Sequence, residues 1–406
     1  MRAQAPERAS AYLDHAATTP VITDVVKAYS EELQLGGNAS SLHTAGRTAR
    51  RRLEEAREEL AGALSARPSE VIFTSGATEA NNLAIKGLFW ARNREAKRPR
   101  VLISAVEHHA VIDPAQWLEE HEKAECVLIP VDEQGRVDLD ALEDLISSDP
   151  NSVALVSVMW ANNEVGTVQP IRDIAAITAK YDIPLHTDAV QAVGQVPVNF
   201  TESQAQTMAL TGHKVGGPPG IGALLATRDA HLTPVTHGGG QERGVRSGTL
   251  DVPGAKALAL AVRLAVQNQE NEAKRLATLR DRLVAGILEV SNAVLRGPAL
   301  NTREGSSPAR LPGNAHVTFP GCEGDSLLYL LDSHGVHVST GSACQAGVPQ
   351  PSHVLLAMGI DETIARGALR FTLGHSSTDA DVDAALRVLP QVVERAQAAG
   401  LAGGIA

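Results

Sequence analysis

Short apolar segments with the composition of β-strands alternate with helical segments over the first half of the chain. Such alternation is typical of an α/β fold, in which a mostly parallel sheet is covered by helices on both faces. Ligands in these folds bind at the carboxyl ends of the strands. The predicted strands are Glu70–Thr74, Val101–Ala105, Cys126–Val131, Val153–Met159, Ile183–Thr187, Met208–Leu210 and Ala223–Ala226.

The pattern changes after Pro253. A long helical stretch that serves as a connector is predicted from Ala255 to about Leu288, and short strands and helices follow it up to a final helix from Asp379. Antiparallel strands mixed with helices fit a separate, smaller α+β domain. We therefore predict a large domain of residues 15–255 and a small domain of residues 1–14 together with 256–406.

Another long helix is predicted over Thr44–Leu64. It carries a basic cluster, Arg47 to Arg57, in which acidic residues are interleaved. Mixed charges of this kind usually cover a solvated helix face, and we expect the same here.

Charge and cysteine content exclude several classes of function. The 406 residues carry a formal net charge of −11, which argues against nucleic acid or an anionic membrane as the main partner. No apolar run approaches the roughly 20 residues of a membrane span, and Met1–Ser10 has no signal-peptide pattern, so a cytoplasmic protein is expected. Cys126, Cys322 and Cys344 are scattered and form no C-x-x-C pair, so neither disulfides nor a metal site is predicted.

The stretch from Pro184 to Gly222 carries the strongest chemical signal. Asp188 ends a predicted strand, and Lys214 follows in a turn rich in glycine, threonine and histidine. This pair suits a pyridine aldehyde cofactor, because the amine can bind the aldehyde while the carboxylate keeps the ring nitrogen protonated. Taken alone, the acid could be a turn former and the lysine a solvated side chain. The glycines and prolines after Lys214 favour the cofactor, since they indicate a close approach of backbone.

The turn Ser75-Gly76-Ala77-Thr78 joins a predicted strand to a helix. Its backbone N–H groups, glycine and hydroxyls have the form of a phosphate cradle, although a plain helix cap fits the same residues. The presence of Lys214 favours a phosphorylated cofactor.

Polar side chains also follow two other predicted strands. His108, beside His109, is either structural or stacks on a cofactor ring and moves protons, and adjacent histidines diverge too much for a joint metal site. The segment Trp160–Glu164 ends the Val153 strand, and an asparagine there, Asn162 or Asn163, can donate to a ring oxygen or a substrate carboxylate.

Further motifs extend over nearly the whole chain. In order they are Y-L-D-H-A-A-T-T-P, F-T-S-G-A-T-E-A-N-N-L-A-I-K-G, A-N-N-E-V-G, H-T-D-A-V-Q-A-V-G, T-G-H-K-V-G-G-P-P-G-I-G-A-L, H-G-G-G-Q-E-R-G-V-R-S-G-T and S-T-G-S-A-C. Together they resemble the cysteine desulfurases of the iron–sulfur and nitrogen-fixation branch. These are pyridoxal 5'-phosphate (PLP) enzymes of fold type I in the class V aminotransferase family, and L-cysteine is the substrate that the resemblance implies.

The resemblance implies roles for the residues around the cofactor ring. Lys214 is expected to bind the cofactor covalently and, once released, to abstract the substrate Cα proton. Asp188 is expected on the pyridine nitrogen, Gln191 near the phenolic oxygen and His108 stacked on the ring, with Asn163 close by.

The resemblance also implies how phosphate and substrate are held. The expected phosphate ligands are Ala77, Thr78, Thr211, His213 and, from the other subunit of a homodimer, Thr249. Asn163 and Arg370 are expected to bind the substrate carboxylate. Arg370 agrees with reasoning from the residues alone, since an inward-facing arginine on a strand usually has an anionic partner.

Cys344 lies in a loop of small residues without apolar neighbours. A lone cysteine is often a small buried hydrophobe, but this setting favours a reactive thiol. The resemblance implies that the Cys344 thiolate takes the substrate sulfur as a persulfide, leaving alanine. Cys126 and Cys322 are expected to be structural.

Departures from the family pattern are modest. Ala39 stands where the family often has proline, and Thr211 replaces a common serine while keeping the hydroxyl. The alternatives on the same fold are selenocysteine lyase, cysteine sulfinate desulfination and an aminotransferase, of which the last needs no thiol. A non-catalytic scaffold is the alternative from another class. The expected sulfur acceptor is an iron–sulfur scaffold protein, a tRNA-thiolation carrier or a free thiol.

Overall fold

The computed structural model describes residues 10–290, 292–304, 307–341 and 351–402. The first strand, β1 (Ala11–Tyr12), is followed by two helices, α1 (Thr23–Leu33) and α2 (Thr44–Ala63). The chain then forms the strands of the main sheet: β2 (Val71–Thr74), β3 (Arg100–Ser104), β4 (Glu125–Ile129), β5 (Val153–Ser157), β6 (Leu185–Asp188), β7 (Thr207–Thr211) and β8 (Gly222–Ala226).

This sheet has seven strands in the order β2-β8-β7-β6-β5-β3-β4. All pairs from β4 to β7 are parallel, whereas β8 runs antiparallel to both β7 and β2. Each predicted strand is present, with ends shifted by no more than two residues. The prediction of an α/β fold with a mostly parallel sheet is confirmed.

Helices cover both faces of the main sheet. Those between its strands are α3 (Ala77–Arg92), α4 (His109–Glu122), α5 (Leu139–Ser147), α6 (Ile171–Lys180) and α7 (Phe200–Ser203), and α8 (Val252–Gln267) comes after it. Leu102, Val156 and Leu210 pack in one buried cluster with α2, α6 and α8. Val101 and Leu155 pack on the opposite face with α3 and α4. Because both faces are buried, strands such as β5 and β8 are mostly apolar rather than alternating.

The remaining chain builds a second core around a small antiparallel sheet. Its elements are α9 (Gln269–Leu288), β9 (Val294–Arg296), β10 (Arg303–Glu304), β11 (Ser307–Pro308), β12 (Asn314–Thr318), α10 (Gly324–Ser333), β13 (Val336–His337), α11 (His353–Ala357), α12 (Glu362–Ala365), β14 (Ala368–Thr372) and α13 (Asp379–Ala402). The sheet order is β14-β12-β9, and β1 pairs with β13. Leu13 belongs to the same buried cluster as Leu283, Phe371 and Val392, so the start of the described chain packs here.

The predicted helical stretch from Ala255 to Leu288 is present, and it is divided into two helices. Two helices, α8 and α9, meet at Asn268, and they serve different cores. Leu258 of α8 lies in the first core, whereas Leu283 of α9 lies in the second. The division of the chain into domains at residue 255 stays a prediction. Most of α8 follows this residue, yet α8 packs on the first core. Within the described ranges, no helix has both the length and the apolar character needed to cross a membrane.

The prediction that the Arg47–Arg57 cluster covers a solvated helix face is wrong for Arg57, which is buried. Its guanidinium donates two hydrogen bonds to Glu242, at 2.9 and 2.7 Å. The Glu242 carboxylate also accepts the backbone N–H of Phe73 at 2.8 Å. A distant segment of the chain supplies this partner, so local charge patterning could not reveal it.

We expect Arg57→Met to destabilise the fold by about 3–5 kcal/mol, because it leaves the buried Glu242 carboxylate without its cation. Arg51→Met on the same helix is the matched control, since the Arg51 side chain is 73% exposed and only 3.6 Å from Glu55. That exposed pair should contribute little. Urea unfolding followed by circular dichroism measures both variants, and equal losses of stability would contradict the prediction.

Candidate active site

A cavity of about 620 Å³ opens at the carboxyl ends of β3, β5, β6 and β7. Of the predicted site residues, those that line it are Ala77, Thr78, His108, Asn163, Asp188, Gln191, Thr211, His213, Lys214 and Arg370. Thr249 is exposed and does not line it. Cys344 lies outside the described residues.

Asp188 is held by a chain of buried hydrogen bonds at the end of β6. Its carboxylate accepts hydrogen bonds from Asn81 Nδ2 at 2.6 Å and from the backbone N–H of Val190 at 2.9 Å. Behind it, His186 Nε2 lies 3.0 Å from Asn81 Oδ1, and His186 Nδ1 lies 2.9 Å from Thr207 Oγ1. These bonds fix the orientation of the acid toward the cavity.

Burial disfavours the charged forms of two other titratable groups near Asp188, His186 and Glu107. Burial lowers the pKa of His186 to about 3, so its imidazole is uncharged. Burial, and then the nearby charge of Asp188, raise the pKa of Glu107 well above its usual value. Asp188 therefore supplies the negative charge at this end of the cavity.

Lys214 lies in a turn of 3₁₀-helix, Gly212–Lys214, directly after β7. Its Nζ donates to the carbonyls of Ala16 and Ala17, the latter at 2.7 Å. Burial, followed by the positive charge of Arg370, lowers the pKa of Lys214 to about 8, while Asp14 and Asp188 raise it. A far larger fraction of this amine is unprotonated near neutral pH than for an ordinary lysine.

The N-terminal segment, defined here as residues 12–19, lies across the cavity. Gln191 Nε2 donates to the Ala16 carbonyl at 3.0 Å, and His213 Nδ1 lies 3.3 Å from Thr18 Oγ1. Burial, and then the charge of Lys214, lower the pKa of His213 to about 4. This neutral imidazole can accept or donate a hydrogen bond without adding charge.

His108 is the N-cap of α4, and its Nδ1 accepts the backbone N–H of Ala110 at 3.0 Å. The ring proton therefore belongs on Nε2. Burial lowers the pKa of His108. The rings of His108 and His109 are 6.5 Å apart at an angle of 78°, so the adjacent histidines diverge, as predicted.

The turn before α3 favours the phosphate cradle over the plain cap. Gly76 is the N-cap residue and no side chain caps this helix end. The Glu79 carboxylate instead accepts the backbone N–H of Ser75 at 2.7 Å and pairs with Arg246. A Cβ on Gly222 of β8 would lie 2.7 Å from the Gly76 Cα, so glycine is required for the strand to pack against this turn. The uncapped N–H groups of a helix N-terminus bind anions.

Arg370 reaches the cavity from β14 of the small sheet. Its Nη1 donates to the Asn163 carbonyl at 3.0 Å and its Nη2 to Asp14 Oδ1 at 2.8 Å. Its side chain is 5% exposed. The site thus lies between the two sheets and needs both.

Sequence reasoning missed Asp14, Asn81 and His186 as parts of the site. Two of them had a signal in the spacing. Asn81 follows Ala77 by one helical turn, and His186 precedes Asp188 by two residues on the same face of β6. Within the described ranges, no group of three or more His, Cys, Asp or Glu side chains could hold a metal ion.

Comparison with known proteins places the chain in a family. Residues 11–385 match the aminotransferase class-V family, and the chain belongs to it; these are PLP-dependent enzymes. The chain is 55% identical over 394 residues to an IscS-like cysteine desulfurase of Mycobacterium tuberculosis, covering 97% of this chain and 98% of that protein. The chain belongs with the cysteine desulfurases within the class.

Solved structures agree. A NifS-like protein superposes with a TM-score of 0.86 at 35% identity, covering 95% of this chain and all of that one. A structure described as SspA in complex with cysteine superposes with a TM-score of 0.75 at 33% identity, covering 91% of this chain and 100% of that chain. The cavity described above fits PLP, because it combines an amine of lowered pKa, a buried carboxylate and a helix N-terminus free of capping side chains.

We expect Lys214 in the cofactor-free protein to react with an amine-directed reagent along a titration curve centred at a pH of about 8. Replacing Arg370 with Met should move this midpoint upward, because the guanidinium charge is one of the causes that lower the Lys214 pKa. Peptide mapping of the labelled lysine over a pH series measures both. A midpoint near the ordinary lysine value of about 10.4 in the unaltered protein would contradict the prediction.

Proposed function

We propose that this chain converts L-cysteine to L-alanine and passes the sulfur to Cys344 as a persulfide, for use in iron–sulfur cluster assembly. The observation that carries this proposal is the placement of Lys214, with its lowered pKa, between the Asp188 carboxylate and the Arg370 guanidinium in one cavity. PLP, when bound, supplies the electron sink that stabilises negative charge at the substrate Cα.

The residues that would hold the cofactor are those of the cavity wall. Asp188 suits the ring nitrogen, because its carboxylate is buried and oriented by Asn81. Gln191 and His108 would contact the ring. The phosphate would lie at the N-terminus of α3, and its proposed ligands are Ala77, Thr78, Thr211 and His213.

Arg370 and Asn163 would bind the substrate carboxylate. Both line the cavity, and the guanidinium already donates to the Asn163 backbone carbonyl at 3.0 Å. A guanidinium binds a carboxylate with two parallel hydrogen bonds, which fixes the orientation of the substrate. This placement leaves the Cα proton to a base elsewhere in the cavity.

Lys214 is the proposed base. About a tenth of its amine is unprotonated at pH 7, far more than for an ordinary lysine, since its pKa is lowered to about 8. The carbonyls of Ala16 and Ala17 accept hydrogen bonds from Nζ, so they stabilise the ammonium formed when Nζ takes the proton. The same group can then return a proton to the product.

The sulfur would leave through Cys344. Its thiolate attacks the substrate sulfur, so that an S–S bond forms while the Cβ–S bond breaks. The bond electrons go to Cβ, which takes a proton and becomes the methyl group of alanine. Ser339 and Gly341, which precede Cys344 in the chain, line the cavity. Burial raises the pKa of both Cys126 and Cys322 to about 11, so neither is a good nucleophile.

Cys344→Ala should abolish the release of both alanine and sulfide from L-cysteine in the presence of a reductant, while the protein keeps its yellow cofactor. Cys126→Ala is the matched control and should behave like the parent. The parent should release alanine and sulfide in equal amounts, and quantifying the two products separately tests this. If Cys344→Ala matches the parent, Cys344 is not the sulfur carrier, and selenocysteine lyase or sulfinate chemistry on the same fold is favoured.

The proposed assembly is a cytoplasmic homodimer. Thr249, proposed as a phosphate ligand, is exposed and lies off the cavity of its own chain, so a second subunit would have to supply it. The exposed side chains of Leu33, Leu35 and Leu42 offer an apolar surface for such a contact. An iron–sulfur scaffold protein is the proposed sulfur acceptor, with a tRNA-thiolation carrier as the second candidate.

A hybrid-dimer experiment tests whether Thr249 acts across subunits. Lys214→Ala and Thr249→Ala homodimers should each lose activity, the second through weaker cofactor binding. In a mixed dimer, the site with the intact lysine receives the intact threonine from its partner, so activity should return to about half of the parent value. No recovery in a verified mixed dimer would mean that Thr249 acts within its own chain, whereas a Thr249→Ala homodimer that keeps full activity would mean that Thr249 has no role.

A further inference from the structure

Arg370 is incompletely partnered for a buried guanidinium. Its Nη1 donates to a backbone carbonyl and its Nη2 to Asp14, while its Nε is buried without a hydrogen-bond partner. Opposite it on β12 lies His316, whose pKa burial lowers to about 3, so it brings no charge. Among the ion pairs of the described residues, Asp14 is the acid that pairs with Arg370.

The position of Asp14 is fixed by its backbone. Asp14 bridges to Thr372 on β14, and the next N–H, that of His15, donates to the Thr372 carbonyl at 3.3 Å. Ala16 N–H donates to Thr372 Oγ1 at 2.9 Å, and the Tyr12 hydroxyl donates to the Asp14 carbonyl at 3.2 Å. The Asp14 carboxylate is therefore held beside β14, next to Thr372 and two residues from Arg370.

We propose that Asp14 is a positioning residue for substrate recognition. Its carboxylate holds one edge of the Arg370 guanidinium, so that the remaining N–H groups keep a fixed direction for the substrate carboxylate. This inference rests on the proposed function of Arg370 as the carboxylate-binding residue. The Asp14 charge also lies near Lys214, the proposed base, and raises the pKa of its amine.

The Arg370 guanidinium has more N–H donors than fixed acceptors, so its orientation depends on the few acceptors that it has. A guanidinium has five N–H groups in one plane, and two opposed partners define the orientation of that plane. Without Asp14, the Asn163 carbonyl alone would hold the side chain, since it accepts the other observed bond. The guanidinium would then have to be oriented at the moment of binding, which lowers affinity.

The first test compares Asp14→Ala and Asp14→Asn with the parent in the holoenzyme. Asp14→Ala should raise KM for L-cysteine by about tenfold or more, with a smaller change in kcat, because a charge-assisted hydrogen bond is lost. Asp14→Asn keeps an oxygen acceptor, so its KM should lie between that of the parent and that of Asp14→Ala. Asp24→Asn, on the exposed first turn of α1, is the control and should leave KM unchanged.

A double-mutant cycle shows whether Asp14 acts through Arg370. In an Arg370→Ala background, Asp14→Ala should raise KM no further. An unchanged KM in Asp14→Ala, or an added rise in the Arg370→Ala background, would overturn the inference. If Arg370→Ala alone leaves KM unchanged, the fault lies in the proposed function instead.

The second readout uses cofactor-free protein, where catalysis plays no part. Because the Asp14 charge raises the pKa of Lys214, Asp14→Asn should lower the midpoint of Lys214 labelling below its parent value of about 8. Asp24→Asn should leave it in place. A Lys214 titration that is the same in Asp14→Asn and the parent would overturn the placement of the Asp14 charge beside the site.

Discussion

The site depends on the position of Lys214, a lysine partly shielded from solvent and close to the positive charge of Arg370. Burial and the Arg370 charge both disfavour the ammonium form of Lys214, and the pKa falls to about 8. Left uncompensated, two such cations would repel each other and resist burial. Asp14 pairs with the arginine, and Asp188 also lines the cavity, so the cavity holds charges of both signs at fixed places.

The N-terminal segment makes this arrangement possible. Residues 12–19 cross between the two sheets, and their carbonyls and side chains bind Lys214, Gln191 and Arg370. The segment is itself fastened to β14 through Thr372 and to the second core through Leu13. A stretch without catalytic side chains of its own therefore joins the lysine of one sheet to the arginine of the other.

One buried and one part-buried ion pair hold the periphery of the site. Arg57 and Glu242 fasten the loop after β8 to α2, and Arg246 pairs with Glu79 beside the phosphate cradle. The segment that leads to Thr249 is thereby tied to the helix whose N-terminus would receive the phosphate. In the proposed homodimer, cofactor binding and the contact between subunits would then depend on the same two ion pairs.

The sequence by itself determined the α/β class, the strands of the main sheet and most residues of the cavity, because these follow from periodicity and from motifs at strand ends. Asp188 and Lys214 could be paired from their places after two predicted strands together with the glycines and prolines behind Lys214, since the carboxyl ends of neighbouring parallel strands meet at one edge. Only the tertiary structure decided the rest. Asp14 reaches Arg370 from 356 residues away, and no local pattern encodes a contact over such a separation. The lowered pKa of Lys214 was likewise beyond the sequence, because burial and neighbouring charge are properties of the folded cavity.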